Sequence, residues 1–248
     1  MNTTFAGLEL RRVFRDYVSM FFIAVLPAFF YVIFGASQEF SHERAGNGNV
    51  AMYIMISMAA YGAVTATTGI GGMAAVERMQ GWGRQLGLTP LSDSSYVVMK
   101  AGIALVIAMI PVTLIYLLGS FTSAEGSATA WAVSAVMVLL GAGVFAVYGL
   151  VVGLAFRSEA AVGAANGLLV IMGFLGNIFI PLSGTLLTIA TFTPLYGFVA
   201  LARYPLTEGN QIDGSHEPLW MAVTNVTAWA AIFGLAAIAL VRRGRERQ

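Results

Sequence analysis

Six long apolar runs separated by short polar segments organise the 248-residue chain. They fall at about 17–36, 51–75, 101–119, 131–156, 162–180 and 219–241, each close to the roughly 20 residues that carry an α-helix across a bilayer. Pro27 and Pro111 lie inside two of them, which a membrane helix tolerates because neighbouring helices or water take up the freed carbonyl. Ahead of the first run, residues 5–16 follow a different rule. At about 100° per residue, Glu9, Arg11, Arg12, Arg15 and Asp16 share one arc, and Leu10, Val13, Phe14 and Tyr17 share the opposite one. That pattern predicts an interfacial helix with its arginines toward anionic headgroups. The apolar run behind it is too long, and its approach too acidic, for a cleaved signal peptide.

A seventh stretch, 181–202, also lacks charge, but Pro181, Thr185, Thr188, Thr191, Thr193 and Pro194 punctuate it, with a turn signal at Thr191-Phe192-Thr193-Pro194. Charge decides how it is read, because cytoplasmic loops of membrane proteins carry an excess of Lys and Arg. With six spans and both termini in the cytoplasm, eleven basic residues lie inside and only Arg44 and Arg203 outside. Letting 181–202 cross would reduce that to eight against five. The stretch therefore reads as a helical hairpin dipping into the outer leaflet before the last span, with Pro181, Thr193, Pro194 and Tyr196 as its marker residues. The longest polar outer segment is then about 203–217.

Composition agrees with a membrane protein. Hydrophobic residues make up 58% and charged residues 10%, where soluble domains hold about a quarter charged. That excludes a soluble fold, and the aromatic content excludes disorder. With no cysteine and two distant histidines, His42 and His216, disulfides, thiolate chemistry and metal sites of the usual kind are not expected. Twelve of the thirteen basic residues are Arg, a usage pointing to a GC-rich bacterial genome. No Asp, Glu, Arg or His falls in the middle of a predicted span. Ion-coupled carriers and membrane enzymes need such groups at depth, so both are disfavoured, and no catalytic residue is expected. The chain also lacks a G-x-x-x-x-G-K-[ST] phosphate loop.

Between the second and third spans, 77–100 is too long for a tight helix–helix turn. It opens on Glu77-Arg78, passes Gly81, Trp82 and Gly83, and stops at Thr89-Pro90; Ser92 then caps a helix starting at Asp93. Its apolar knob is a docking surface for a partner, or else the loop only sets topology. Two polar or small stripes have helical spacing: Met58, Tyr61, Thr65, Thr68 and Gly72 in the second span, and Gly163, Asn166, Val170, Gly173 and Asn177 in the fifth. Such stripes commonly serve helix packing. Met52, Met55 and Met58, with Tyr53, add soft surface that suits either packing or varied apolar cargo.

The run Glu77-Arg78-x-x-Gly81 through Leu86-Gly87-Leu88-Thr89-Pro90-Leu91-Ser92 resembles the first intracellular loop of ABC-2 type transporter permeases. The segment Phe192-Thr193-Pro194-Leu195-Tyr196 to Arg203 is similar to the same family's motif before its last span. Met79, Trp82 and Phe192 depart from the usual pattern. The resemblance implies an all-α polytopic fold with six transmembrane helices, an N-terminal interfacial helix, a coupling loop at 77–92 and an extracellular re-entrant hairpin. It implies a dimer, with a second copy or a homologous permease, each bound to a separate ATP-binding subunit that holds ATP and Mg. Glu77, Arg78, Gly81, Trp82, Arg84 and Leu86 would meet that subunit. Met55, Met58, Tyr61, Thr65, Thr68, Asn166, Gly173 and Asn177 would line a path at the dimer interface. Without buried charge, the cargo expected is an amphiphilic or hydrophobic drug, antibiotic or lipid-like molecule, exported across a bacterial plasma membrane. Partners are then membrane lipids and proteins, not nucleic acid. A channel or insertase without an ATPase, and a sensory permease for antimicrobial compounds, are the alternatives.

Overall fold

The computed structural model describes residues 3–77, 93–212 and 214–245. Among them, α1 spans Thr3–Arg15 and α2 Tyr17–Ala36. There follow α3 Val50–Glu77, α4 Asp93–Phe121, α5 Ala128–Phe156, α6 Glu159–Leu175, α7 Gly184–Ala190, α8 Pro194–Thr207 and α9 Leu219–Arg245. The protein is an all-α polytopic membrane protein: α2, α3, α4, α5 and α9 are each long and apolar enough to cross a bilayer. The run expected at 162–180 is corrected. Its helix, α6, begins at Glu159 and stops at Leu175, 17 residues in all. It ends there because Asn177 takes a left-handed φ of +57°, a conformation asparagine tolerates better than most residues. The stretch expected as a hairpin is two helices, α7 and α8, that meet at 92°.

Helix α3 is the post around which the rest is built. In its apolar window 94% of residues are buried, against 33–39% in α2, α4 and α5 and 11% in α9. A helix that is apolar all round belongs in the interior, and α3 is also rich in small residues that let other backbones approach. Against α5, a side chain on Gly71 would strike the Ala146 carbonyl, one on Gly149 the Thr68 carbonyl, and one on Gly153 the Gly72 carbonyl. Thr68 Oγ1 donates across the same seam to the Phe145 carbonyl at 3.3 Å. Because lipid tails are as apolar as the helices, this close packing, rather than a hydrophobic drive, holds the helices together.

The two prolines converge on one position of the post. Pro27 has no N–H, so the Ile23 carbonyl is freed, and α2 widens to a π-helical turn there at Phe21–Val25, with a second at Val32–Ala36. A Cβ at Gly62 of α3 would lie 2.9 Å from that carbonyl and 2.7 Å from Pro111 Cβ of α4. At the end of the bundle away from α1, a two-stranded ribbon pairs Arg44 with Asn49 and Ala45 with Gly48. Asn49 then starts α3, accepting from Met52 N at 3.0 Å and Glu125 N at 3.0 Å while donating to Ser123 O at 2.6 Å.

Candidate functional site

Polar groups gather at both ends of the post. At the α1 end, Glu77 closes α3, where the helix dipole disfavours a carboxylate. Two cations offset that cost: Lys100 Nζ of α4 lies 2.7 Å from Oε2, and Arg12 Nη1 of α1 lies 2.8 Å from Oε1. Glu77 and Lys100 are each only 7% exposed, so breaking their pair leaves a buried charge and costs about 3–5 kcal/mol. The exposed Arg12 contributes less, about 1 kcal/mol or below. One carboxylate thus ties α1, α3 and α4 together immediately before residue 78. Of the other expected coupling residues, Arg78, Gly81, Trp82, Arg84 and Leu86 lie outside the described residues.

The stripe of the second span faces inward. Met55, Met58 and Thr68 are fully buried, and Tyr61 and Thr65 nearly so. Thr65 Oγ1 donates to the Tyr61 carbonyl at 2.8 Å, and the Tyr61 ring meets Phe179 edge-on, centroids 5.0 Å apart. Phe179 also covers Gly173, whose added Cβ would crowd that ring, so Tyr61 and Gly173 share one aromatic neighbour. Asn166 faces Gly69 of α3 with its Oδ1 buried and without a partner. Asn177 stands apart: its side chain accepts from Leu182 N at 2.9 Å, capping the turn after α6. Met52, Met55 and Met58 therefore pack within the chain.

At the opposite end lies a cluster that the sequence placed elsewhere. Arg203, expected in a polar outer segment, is a buried residue of α8, 2% exposed and among the largest fully buried side chains. Its Nε and Nη2 donate to Ser57 Oγ, Nη1 to Tyr53 Oη at 2.8 Å, and Nη2 to the Asn177 carbonyl at 2.8 Å. The guanidinium carbon sits 3.8 Å from the Tyr53 ring centre. Among the described residues none of these partners is a carboxylate. Tyr53 Oη in turn donates to Gln211 Oε1 at 2.9 Å, and Gln211 Nε2 donates to Glu217 Oε2 at 3.3 Å. Every donor in this series points from cation toward anion. Burial raises the Glu217 carboxyl above the usual range, against opposing hydrogen bonds from Tyr196 and Gln211 and the charge of Arg203. The available signal was spacing: Tyr196 and Arg203 are seven apart, as Tyr53 and Ser57 are four apart, so each pair shares a helix face.

The bend between α7 and α8 is held from outside. Pro194 opens α8, a position where its missing N–H costs nothing, and the break leaves carbonyls without helical partners. Asn225 Nδ2 of α9 takes those of Thr191 at 2.7 Å and Thr193 at 3.1 Å, and Trp229 Nε1 that of Phe192 at 2.9 Å. Pro181 is exposed, whereas Pro194 and Tyr196 are buried. Asn225 and Trp229, one turn apart on α9, escaped the sequence reading because both fall inside an ordinary apolar run.

No family model matches the chain. A curated protein of Bacillus subtilis (strain 168), named "Putative transport permease YvfS", is 26% identical over 244 residues, covering 96% of this chain and 95% of its own length. That full-length similarity and the set of apolar helices fit a transporter permease of the ABC-2 type.

Proposed function

We propose that the chain is the membrane-spanning subunit of an ATP-driven exporter whose ATP-binding subunit is a separate polypeptide. The observation that carries this reading is the Glu77 clamp. The 78–92 segment leaves α3 directly after Glu77, and the same carboxylate holds α4 through Lys100 and α1 through Arg12. A push on that segment therefore reaches the central post α3 and α4 through the buried Glu77–Lys100 pair, and α1 through the exposed Arg12. In this reading the α1 end faces the cytoplasm, in keeping with the excess of basic residues expected on that side, and 78–92 with Trp82 docks into the ATPase. That partner holds ATP and Mg, and two permease copies complete the complex. Cargo is amphiphilic or hydrophobic, because the apolar spans carry charged residues only at their ends, and Arg203 spends its donors within the fold.

The test is transport of a fluorescent amphiphile by the complex, purified from its native membrane and reconstituted in proteoliposomes. Export should continue with a protonophore and stop with vanadate. Export that stops with the protonophore and ignores vanadate would overturn the reading.

A further inference from the structure

Along α1 and the start of α2, Leu8, Arg11, Arg12, Arg15 and Asp16 line a shallow, open surface recess of about 510 Å³. They succeed one another at helical spacing and so share one face. Three of the five are arginines. Arg12 is shared with Glu77, and Asp16 is occupied in capping α2, accepting from Ser19 N at 3.1 Å and Ser19 Oγ at 2.6 Å. Arg11 and Arg15 have no carboxylate partner among the described residues, so the recess offers two uncommitted guanidinium groups. Exposed apolar side chains flank it: Leu8, 61% exposed, on the same face, Phe14, 50%, three residues from Arg11 on the adjoining apolar arc, and Val18, 69%, three residues beyond Arg15. These belong to α1 and to the first turn of α2, where the membrane-crossing segment begins. A site that places cations beside exposed aromatic and aliphatic side chains, at the depth where a span starts, fits a molecule with a phosphate and acyl chains.

We propose that this recess binds the headgroup of one anionic phospholipid, its phosphate between Arg11 and Arg15 and its chains along Leu8, Phe14 and Val18. The site requires only that α2 crosses a bilayer and does not depend on the coupling of transport to ATP. Guanidinium groups grip phosphate through paired N–H donors, and a neutral-headgroup lipid has its phosphate compensated by its own cation. Selectivity for phosphatidylglycerol over phosphatidylcholine follows.

The experiment uses the full chain in vesicles of dioleoylphosphatidylcholine containing a minority of dioleoylphosphatidylglycerol, with native mass spectrometry reading the lipid that stays bound. The native protein should retain one phosphatidylglycerol per chain in preference to phosphatidylcholine. Each arginine near an anionic surface is worth about 1 kcal/mol, about fivefold at 1.4 kcal/mol per decade. Arg11→Gln with Arg15→Gln should therefore lower the preference about 25-fold. The pair Arg11→Lys with Arg15→Lys should keep most of it, which separates lost charge from lost folding. Arg242→Gln with Arg243→Gln, on the exposed end of α9, should leave it unchanged. The proposal is overturned if the double glutamine variant retains phosphatidylglycerol as the native chain does, or if the α9 pair proves equally damaging. It is also overturned if millimolar inorganic phosphate displaces the lipid, which would make the site one for free phosphate.

Discussion

Removing an acceptor from a buried cation costs more than removing the cation itself, and Arg203 allows that asymmetry to be measured. Ser57 Oγ receives two of the four hydrogen bonds made by the guanidinium. Ser57→Ala therefore strands Nε and half-strands Nη2 at a position 2% exposed, beyond the reach of water. Hydrogen bonds to charged groups contribute about 1.5–3 kcal/mol each. Because Nη2 keeps the Asn177 carbonyl, the expected cost is about 3 kcal/mol. In the Arg203→Met background no charge needs the hydroxyl, and Ser57 still donates to the Tyr53 carbonyl. The same serine change should then cost about 1 kcal/mol or less. The double-mutant cycle should thus return a coupling of about 2 kcal/mol, well above the ~0.5 kcal/mol expected for independent sites. Reversible unfolding by dodecyl sulfate in mixed micelles, followed by circular dichroism, measures all four corners. Additivity within that margin would show that the hydroxyl does not support the buried charge, and the account of this cluster would fail.

Three further outcomes follow from single features. Glu217 has a folded pKa raised above its ordinary value of 4.5 chiefly by burial, so its contribution to stability is full below that value and is lost as pH rises through the folded one; Glu217→Gln should flatten the fall in melting temperature over this window, and an unchanged slope would contradict it. Gly149→Ala drives a methyl into the Thr68 carbonyl and should cost about 1–3 kcal/mol, whereas Gly167→Ala, with nothing within 4 Å, should stabilise by up to about 1 kcal/mol; equal thermal shifts would refute the close α3–α5 seam. Trp82→Ala should weaken co-purification with the ATPase by about 2 kcal/mol or more, roughly thirtyfold, while Arg243→Ala, a screened surface charge, should do far less; the reverse ranking would move the docking site to the tail.

What was legible in the sequence is local in origin. The helix α1 follows from an arc of arginines and acids at helical spacing, and the long spans follow from uninterrupted apolar length, because neither requires knowledge of a distant residue. The break at Thr191–Pro194 was legible for the same reason: proline and its neighbours restrict the backbone wherever they stand. Glu77 was recognisable as the residue that opens the coupling loop, but its partners Arg12 and Lys100 come from two other helices.

Residues that depend on distant neighbours were misplaced or missed. Hydropathy treats an arginine as water-seeking, so Arg203 was assigned to a polar segment. In the fold, Ser57 and Tyr53 of α3 and the carbonyl of Asn177 replace its hydration, which makes burial of the charge tolerable. The stripe on α3 shows the same division. Its spacing established that Met58, Tyr61, Thr65 and Thr68 share a face, but not what that face meets. The tertiary structure decided that α3 is the central post, because its glycines and threonines accept α5 at backbone contact. It also decided that α9 lies outermost, with Asn225 and Trp229 holding the carbonyls of the α7–α8 bend. Local periodicity states which side chains lie together on one helix; only packing states which helix completes their hydrogen bonds.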